Sequence, residues 1–267
     1  MTTKQLDVLK LNRKNGLQYL NYILNTVQIG RGDDVCRIAN EKIAEGDTPL
    51  LAELQRTWYK TLRAGNPDYS VYDAHAYIAE AYVCWFEYSR KYLNQIQKPS
   101  SLPPYGVADQ SRTARVIVDL GNGLGFTTAA LTQIFPTADV YGTNVTHSLQ
   151  YRVAAHLATE YRFRMAADAA TINRTADLVF ASEYFEHFHD PITHLHEIIN
   201  ALQPRRLLLA NTFANDGIGH FDHYQMHGET IHGRKAGRFF NNELRSLGYH
   251  KIKTTLWNNK PNYWERA

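Results

Sequence analysis

The stretch Val116-Ile117-Val118-Asp119-Leu120-Gly121-Asn122-Gly123-Leu124-Gly125-Phe126-Thr127 decides how the chain is read. A β-branched run ends in an acidic residue, glycines follow at alternate positions, and an apolar, helix-like segment covers 126–134. Glycine takes positive φ without penalty and lets a ligand approach the backbone with no Cβ in the way. Free N–H groups at the start of the next helix favour an anionic or carboxylate-bearing group. A dinucleotide fingerprint needs Gly-x-Gly-x-x-Gly, with glycine where Phe126 stands, so a nicotinamide dehydrogenase is disfavoured. Asp119, at the strand end, suits a cationic amino-acid ligand.

Downstream of this stretch, strand and helix alternate. Strand candidates are 115–120, 139–143, 161–167, 177–182 and 206–211, and helix candidates are 126–134, 148–160, 192–202 and 239–247, the last closed by Gly248. Residues 251–257 and 263–266 flank Asn258-Asn259-Lys260-Pro261-Asn262 as a hairpin would. The pattern predicts an α/β fold: a mostly parallel seven-stranded sheet, helices on both faces, and a C-terminal antiparallel hairpin.

Upstream, residues 1–98 read as helices. Apolar residues recur at helical spacing through Leu17, Leu20, Ile23, Leu24 and Val27, then through Leu50, Leu51, Leu54, Trp58 and Leu62. A third stretch, 72–93, is rich in aromatics, among them Tyr77, Tyr82, Trp85, Phe86, Tyr88 and Tyr92. Pro99, Pro103 and Pro104 mark 99–110 as a linker. The expected organisation is a helical cap or dimerisation region (1–98), the linker (99–110), and a ligand-binding domain (111–267). The aromatic stripe is expected to pack in the core or at a homodimer contact, ahead of lining an acceptor site.

Composition sets the class. Over 267 residues, 44% are hydrophobic and 21% charged, as in a globular protein rather than a disordered one. A net charge of +3 neither demands nor excludes nucleic acid, because binding needs a clustered patch. Cys36 and Cys84 are far apart with no CxxC, which argues against a disulfide framework or a thiolate zinc site and fits a reducing cytoplasm. Met1 to Asp7 lacks the apolar core of a signal peptide, and no window approaches the roughly 18 apolar residues of a membrane span. A cytoplasmic chain without membrane association is expected.

The glycine loop resembles the class I S-adenosylmethionine-dependent methyltransferases, whose first motif is an acidic residue followed by Gly-x-Gly-x-Gly. The similarity continues in order. Val140-Tyr141-Gly142-Thr143-Asn144 looks like that family's second strand, which usually ends in an acidic residue gripping the ribose hydroxyls; here Asn144 stands instead. Met165-Ala166-Ala167-Asp168-Ala169 resembles the adenine-binding motif, and the segment from Asp177 to His187 is similar to the fourth-strand signature. Trp257 to Trp264 looks like the closing hairpin. The resemblance implies a Rossmann-like fold and S-adenosyl-L-methionine as cofactor. It implies contacts from Asp119, Gly121, Asn122, Gly123, Gly125, Asn144, Asp168, Ala169, Ser182 and Glu183. The activity it implies is in-line methyl transfer, to a small-molecule acceptor rather than RNA.

Glu183, Glu186 and His187 follow the fourth strand, where the C-terminal ends of parallel strands face the ligand crevice. In a helical turn they would share one face and could orient a substrate, supply a base or hold a cation. His220, His223, His227 and His232 lie in the long connection after the fifth strand. The combination also resembles small-RNA 3′-terminal 2′-O-methyltransferases, which hold Mg²⁺ with Glu-x-x-Glu-His and a later histidine, although Phe188 stands where a second histidine is typical. A metal-free wall is the reading adopted, with His187 as general base and Glu183 or His223 behind it. The rival readings are a metal-assisted RNA 2′-O-methyltransferase and a non-catalytic Rossmann-like scaffold, which the missing acid at Asn144 would suit.

Overall fold

The computed structural model describes residues 5–97, 114–254, 256 and 261–267. The expected linker 99–110 lies outside the described residues, as do Trp257, Asn258, Asn259 and Lys260 of the expected hairpin. The strands are β1 (Val116–Leu120), β2 (Asp139–Thr143), β3 (Arg164–Ala166), β4 (Leu178–Ser182), β5 (Arg206–Ala210), β6 (His223–Met226), β7 (Glu229–His232), β8 (Tyr249–Ile252) and β9 (Asn262–Arg266). Seven of them form one sheet in the order β3-β2-β1-β4-β5-β9-β8, and β6 and β7 form a separate hairpin. The first five are parallel, whereas β9 runs antiparallel to both β5 and β8. β1 is buried along its whole length between β2 and β4. The chain leaves β1 toward β2 and β3, then crosses back to β4, so the crevice opens at the C-terminal ends of β1 and β4.

Four helices cover this sheet: α6 (Phe126–Ile134), α7 (Leu149–Tyr161), α8 (Pro191–Leu202) and α9 (Gly233–Ser246). Their starts are written locally. Ser148 accepts the Tyr151 N–H ahead of α7, and Asp190 accepts the Thr193 N–H ahead of α8, where Pro191 occupies the first turn. The N-terminal region supplies α1 (Arg13–Thr26), α2 (Gly32–Glu45), α3 (Pro49–Arg63), α4 (His75–Cys84) and α5 (Arg90–Ile96). Between α4 and α5 the helix continues as one π-helical segment, Trp85–Ser89, a form that often marks functional positions.

One apolar core runs through both regions. Phe126, at the position that excluded a dinucleotide fingerprint, is its hub. Its ring stacks on Trp85 at 4.6 Å and meets Tyr82 and Tyr19 edge-on at 5.7 and 6.0 Å. Tyr82, Trp85, Phe86 and Tyr92 of the aromatic stripe are buried inside the protein itself, as is Trp58 of α3. No helix among the described residues is long and apolar enough to cross a membrane.

Four boundaries differ from expectation for physical reasons. The strand expected over 161–167 starts only at Arg164, because Tyr161 is a buried residue of α7 and Arg162 ends that helix in the left-handed conformation. The helix expected over 239–247 begins at Gly233: its glycines suggest a break, but Ala236, Phe240 and Leu244 recur every four residues as a buried stripe, and His232 caps the first turn. The histidine-rich connection is not all loop, because His227 and Gly228 take positive φ (52° and 78°) and turn the chain into the β6–β7 hairpin. β8 begins at Tyr249 and ends at Ile252, ahead of the expected 251–257.

The turn into α6 generates a stability prediction. Gly125 sits at φ +86°, and a Cβ there would lie 2.9 Å from the Ala154 α-carbon. A left-handed conformation costs an ordinary residue about 1–2 kcal/mol before any clash is counted. Gly125→Ala is therefore expected to lower unfolding free energy by about 2 kcal/mol or more in urea titration; a change within about 0.5 kcal/mol would show that the turn tolerates a side chain.

Candidate functional site

The glycine loop is tied to its neighbours. Gly121 N–H donates to Thr143 Oγ1 (3.0 Å) and Asn122 N–H to the Thr143 carbonyl (2.9 Å), so the tip of β2 holds the loop. Asn122 Nδ2 donates to Thr128 Oγ1 (3.1 Å), whose hydroxyl donates to Asp119 Oδ2 (2.7 Å). Gly142 lies beneath this chain of bonds; a Cβ there would fall 2.2 Å from Asn122 Nδ2. Gly121, Gly123 and Gly125 all take positive φ, at 59°, 52° and 86°. Asp119 is 2% exposed, and burial pushes its carboxyl up to about 7, with the Thr128 hydroxyl pulling the other way.

Beside the loop lies a cavity of about 490 Å³, a size typical of small-ligand sites. Asp119, Gly121, Asn122, Gly123 and Ser182 line it from the sheet, and Glu183, His187, Thr212 and His220 from the loops after β4 and β5. The N-terminal helices close it with Lys42, Tyr77, Glu80, Trp85, Tyr88, Ser89 and Tyr92. The π-helical segment brings Ser89 in close enough to donate to Ser182 Oγ (3.3 Å).

The carboxylates after β4 share one partner. Glu183 has φ +51°, and the following turn is a 3₁₀ helix over Phe185–His187 rather than the expected α-turn from 183. Even so, both acids reach Thr212, two residues beyond β5. Its hydroxyl lies 2.5 Å from Glu183 Oε2 and 2.8 Å from Glu186 Oε1, and its N–H donates to the same Glu186 oxygen (2.6 Å). One hydroxyl hydrogen serves only one of these acceptors at a time. Glu186 is fully buried, and its Oε2 has no hydrogen-bond partner among the described residues. One ligand atom each from Glu183, Glu186 and His220 lie within 4.8 Å of one another.

The two imidazoles are held by different partners. His187 is half-buried, with Nδ1 3.0 Å from the Tyr72 hydroxyl. Burial and the neighbouring His220 hold its pKa down to about 3, against a hydrogen bond to the Gly219 backbone, so the ring is neutral at physiological pH. His220 faces it at 4.9 Å between ring centres. His220 Nδ1 is 3.0 Å from the Asn215 carbonyl, which can only accept, so that nitrogen carries a proton and the neutral ring has its lone pair on Nε2.

The other expected residues fall outside the cavity wall. His223 opens β6, half-exposed and paired with Asp222 at 3.2 Å, so the structure does not place it behind His187; His220, three residues earlier, takes that position because the chain enters the hairpin between them. Asn144 turns back on the loop, donating to Asn122 Oδ1 (3.0 Å) and the Gly123 carbonyl (2.7 Å). Asp168 is exposed and accepts the Thr171 N–H (2.9 Å), and Ala169 is buried beside it. Gly125 packs on Ala154 and Phe163. Tyr184 lies against Gly121, where a Cβ would meet its ring at 2.3 Å, and its hydroxyl is 2.8 Å from His194 Nε2. Thr212 was legible only as a polar residue just beyond a parallel strand's C-terminal end; Lys42, Glu80 and Ser89 carry no local signal.

A protein-family model described as a methyltransferase domain matches residues 118–210. Among solved structures, the chain is similar in fold to the S-adenosylmethionine-dependent methyltransferase SibL in its apo form, at 18% identity and a TM-score of 0.51, over 87% of this chain and 74% of that one. It is also similar to an O-methyltransferase family protein from Burkholderia thailandensis, at 14% identity and a TM-score of 0.51, over 87% and 71%. No curated protein matches the sequence significantly. The sheet order is that of these structures, and the match to a methyltransferase domain model falls on the stretch that holds the acidic residue before three alternate glycines, so residues 118–210 are similar to a methyltransferase domain.

Proposed function

We propose that the chain moves a methyl group from S-adenosylmethionine to a small acceptor held between the glycine loop and the aromatic N-terminal helices. One observation carries this reading: a single cavity is lined by the loop on one side and by tyrosines and histidines on the other. The residues fit the cofactor, because Asp119 is a buried acid without a cationic partner among the described residues, beside backbone that only glycine leaves open. When bound, the cofactor supplies a methyl group already activated on a sulfonium. Asp119 and the loop from Gly121 to Gly125 hold the amino-acid end in this reading, while Asn144, Asp168 and Ala169 serve the nucleoside end, with Ser182 and Glu183 between them. Carboxylates outnumber Lys42 around the wall, with Glu80, Asp119, Glu183 and Asp216, a field that suits a cationic cofactor and opposes a polyanionic acceptor.

In-line displacement needs alignment and exclusion of water, which positioning can supply at about 7–11 kcal/mol. His220 takes a proton from an acceptor hydroxyl or amine through Nε2, and Glu183 lies close by. His187 is a weaker base because burial disfavours its charged form; its neutral ring braces the wall. A second reading, cation-assisted transfer to an RNA hydroxyl, draws on the cluster of Glu183, Glu186 and His220 and on the unpartnered Glu186 oxygen. Oxygen-rich sites of this kind suit Mg²⁺ or Mn²⁺.

The decisive experiment incubates the protein with methyl-tritiated S-adenosylmethionine and a fractionated cell extract. Label is expected in the low-mass fraction, and label confined to RNA would sink the small-acceptor reading. His220→Ala should cut labelling by about 10²-fold or more, whereas His223→Ala should leave it near wild type; the reverse pattern removes His220 from the role. EDTA should leave labelling unchanged, and loss restored by Mn²⁺ would favour the second reading.

Calorimetry addresses Asp119. A cationic ammonium favours the ionised acid, so affinity for S-adenosylmethionine is expected to rise about one to two orders of magnitude from pH 5 to pH 8. Asp119→Asn should bind weakly and without that slope. Because the folded-state pKa is raised, this group's contribution to stability is full below its ordinary value of 3.8 and is lost as pH rises through about 7. The urea midpoint of Asp119→Asn relative to wild type should therefore improve between pH 5 and pH 8; a constant difference would contradict the burial argument. Absence of any binding heat at all pH values would leave only the scaffold reading.

A further inference from the structure

Three side chains from the N-terminal helices reach across to the loop between β5 and β6. Trp58, fully buried in α3, donates its indole N–H to the His220 carbonyl at 2.6 Å and meets Phe221 nearly perpendicular at 5.7 Å. The hydroxyl of Tyr59, the next residue, accepts the Gly217 N–H at 3.2 Å and lies 3.5 Å from Asp216 Oδ1. Tyr72, in the 3₁₀ turn Tyr69–Asp73, approaches His187 at 3.0 Å. The loop comes so close to Tyr72 that a Cβ on Gly219, at φ +86°, would lie 2.2 Å from the hydroxyl.

We propose that Trp58, Tyr59 and Tyr72 are positioning residues for methyl transfer, a clamp that fixes the 215–221 loop so that His220 Nε2 faces the cavity. The proposal rests on the reading that His220 works at the reacting centre. Its physics is specific. The His220 carbonyl is held from α3, and the ring nitrogen by Asn215 within the loop, so the residue is fixed at two points by different elements. An indole is a donor only, and phenylalanine keeps an aromatic ring in place while removing that donor. The helices upstream of the methyltransferase domain thereby act on the chemistry without touching the reacting atoms.

The test uses the full chain with histidines labelled in ¹⁵N. In Trp58→Phe, the His220 imidazole signals should move away from the single Nδ1–H tautomer, while affinity for S-adenosylhomocysteine by calorimetry stays within about twofold of wild type. Tritium labelling of the low-mass fraction should fall about tenfold or more, and the substitution should cost nothing further in a His220→Ala background. Unchanged His220 signals, or the same fractional loss with and without His220, would overturn the clamp. Should Trp58→Phe fail to fold, Tyr72→Phe gives the parallel measurement on His220, which Tyr72 does not hydrogen-bond: its signals move if the clamp holds and stay if it does not. If Trp58→Phe moves His220 while His220→Ala keeps full labelling, the contact stands and the assignment of His220 to the chemistry falls.

Discussion

The site depends on a buried acid that has only a hydroxyl to lean on. Asp119 sits one residue before the end of β1, deep in the sheet, and its side chain accepts a hydrogen bond from Thr128, which is in turn held by Asn122. A carboxylate out of water and unpaired with a cation is costly, and its raised pKa expresses that cost. The surrounding geometry keeps the acid in place. Thr143 pins the loop from β2, Gly142 makes room for the Asn122 amide, and Phe126 anchors the first turn of α6 against Trp85. The protein tolerates an uncomfortable group where a positively charged ligand would relieve it.

The second organising feature is how the N-terminal helices enter the domain. They share its core through Phe126 and its cavity through Tyr77, Tyr88 and Ser89. A helix that stayed strictly α from His75 to Ile96 would place successive residues differently from one that passes through the π-turn at 85–89. In the observed form Trp85 faces the core and Ser89 touches Ser182, so a single irregularity serves packing and site together.

Much of this was legible in the residues. Strand–helix alternation and the buried run ending at Asp119 give the sheet, because period and burial are local properties of sequence. The positive φ of the loop follows from glycines that permit it. What escaped notice depended on contacts distant in sequence. The α9 start was hidden by glycines that tertiary packing overrides. His223 and His220 are alike in composition and neighbourhood, and only the hairpin turn between loop and strand separates them in space. Thr212 serves Glu183 and Glu186 from 29 and 26 residues away, and nothing near it announces the pairing.

Asn144 carries a consequence of its own. Its amide already satisfies Asn122 and the Gly123 carbonyl. Any sugar hydroxyl that claims this side chain must replace contacts it already makes within the protein, so recognition at that corner is a swap of partners with little net gain. The amide thereby ties the end of β2 to the glycine backbone.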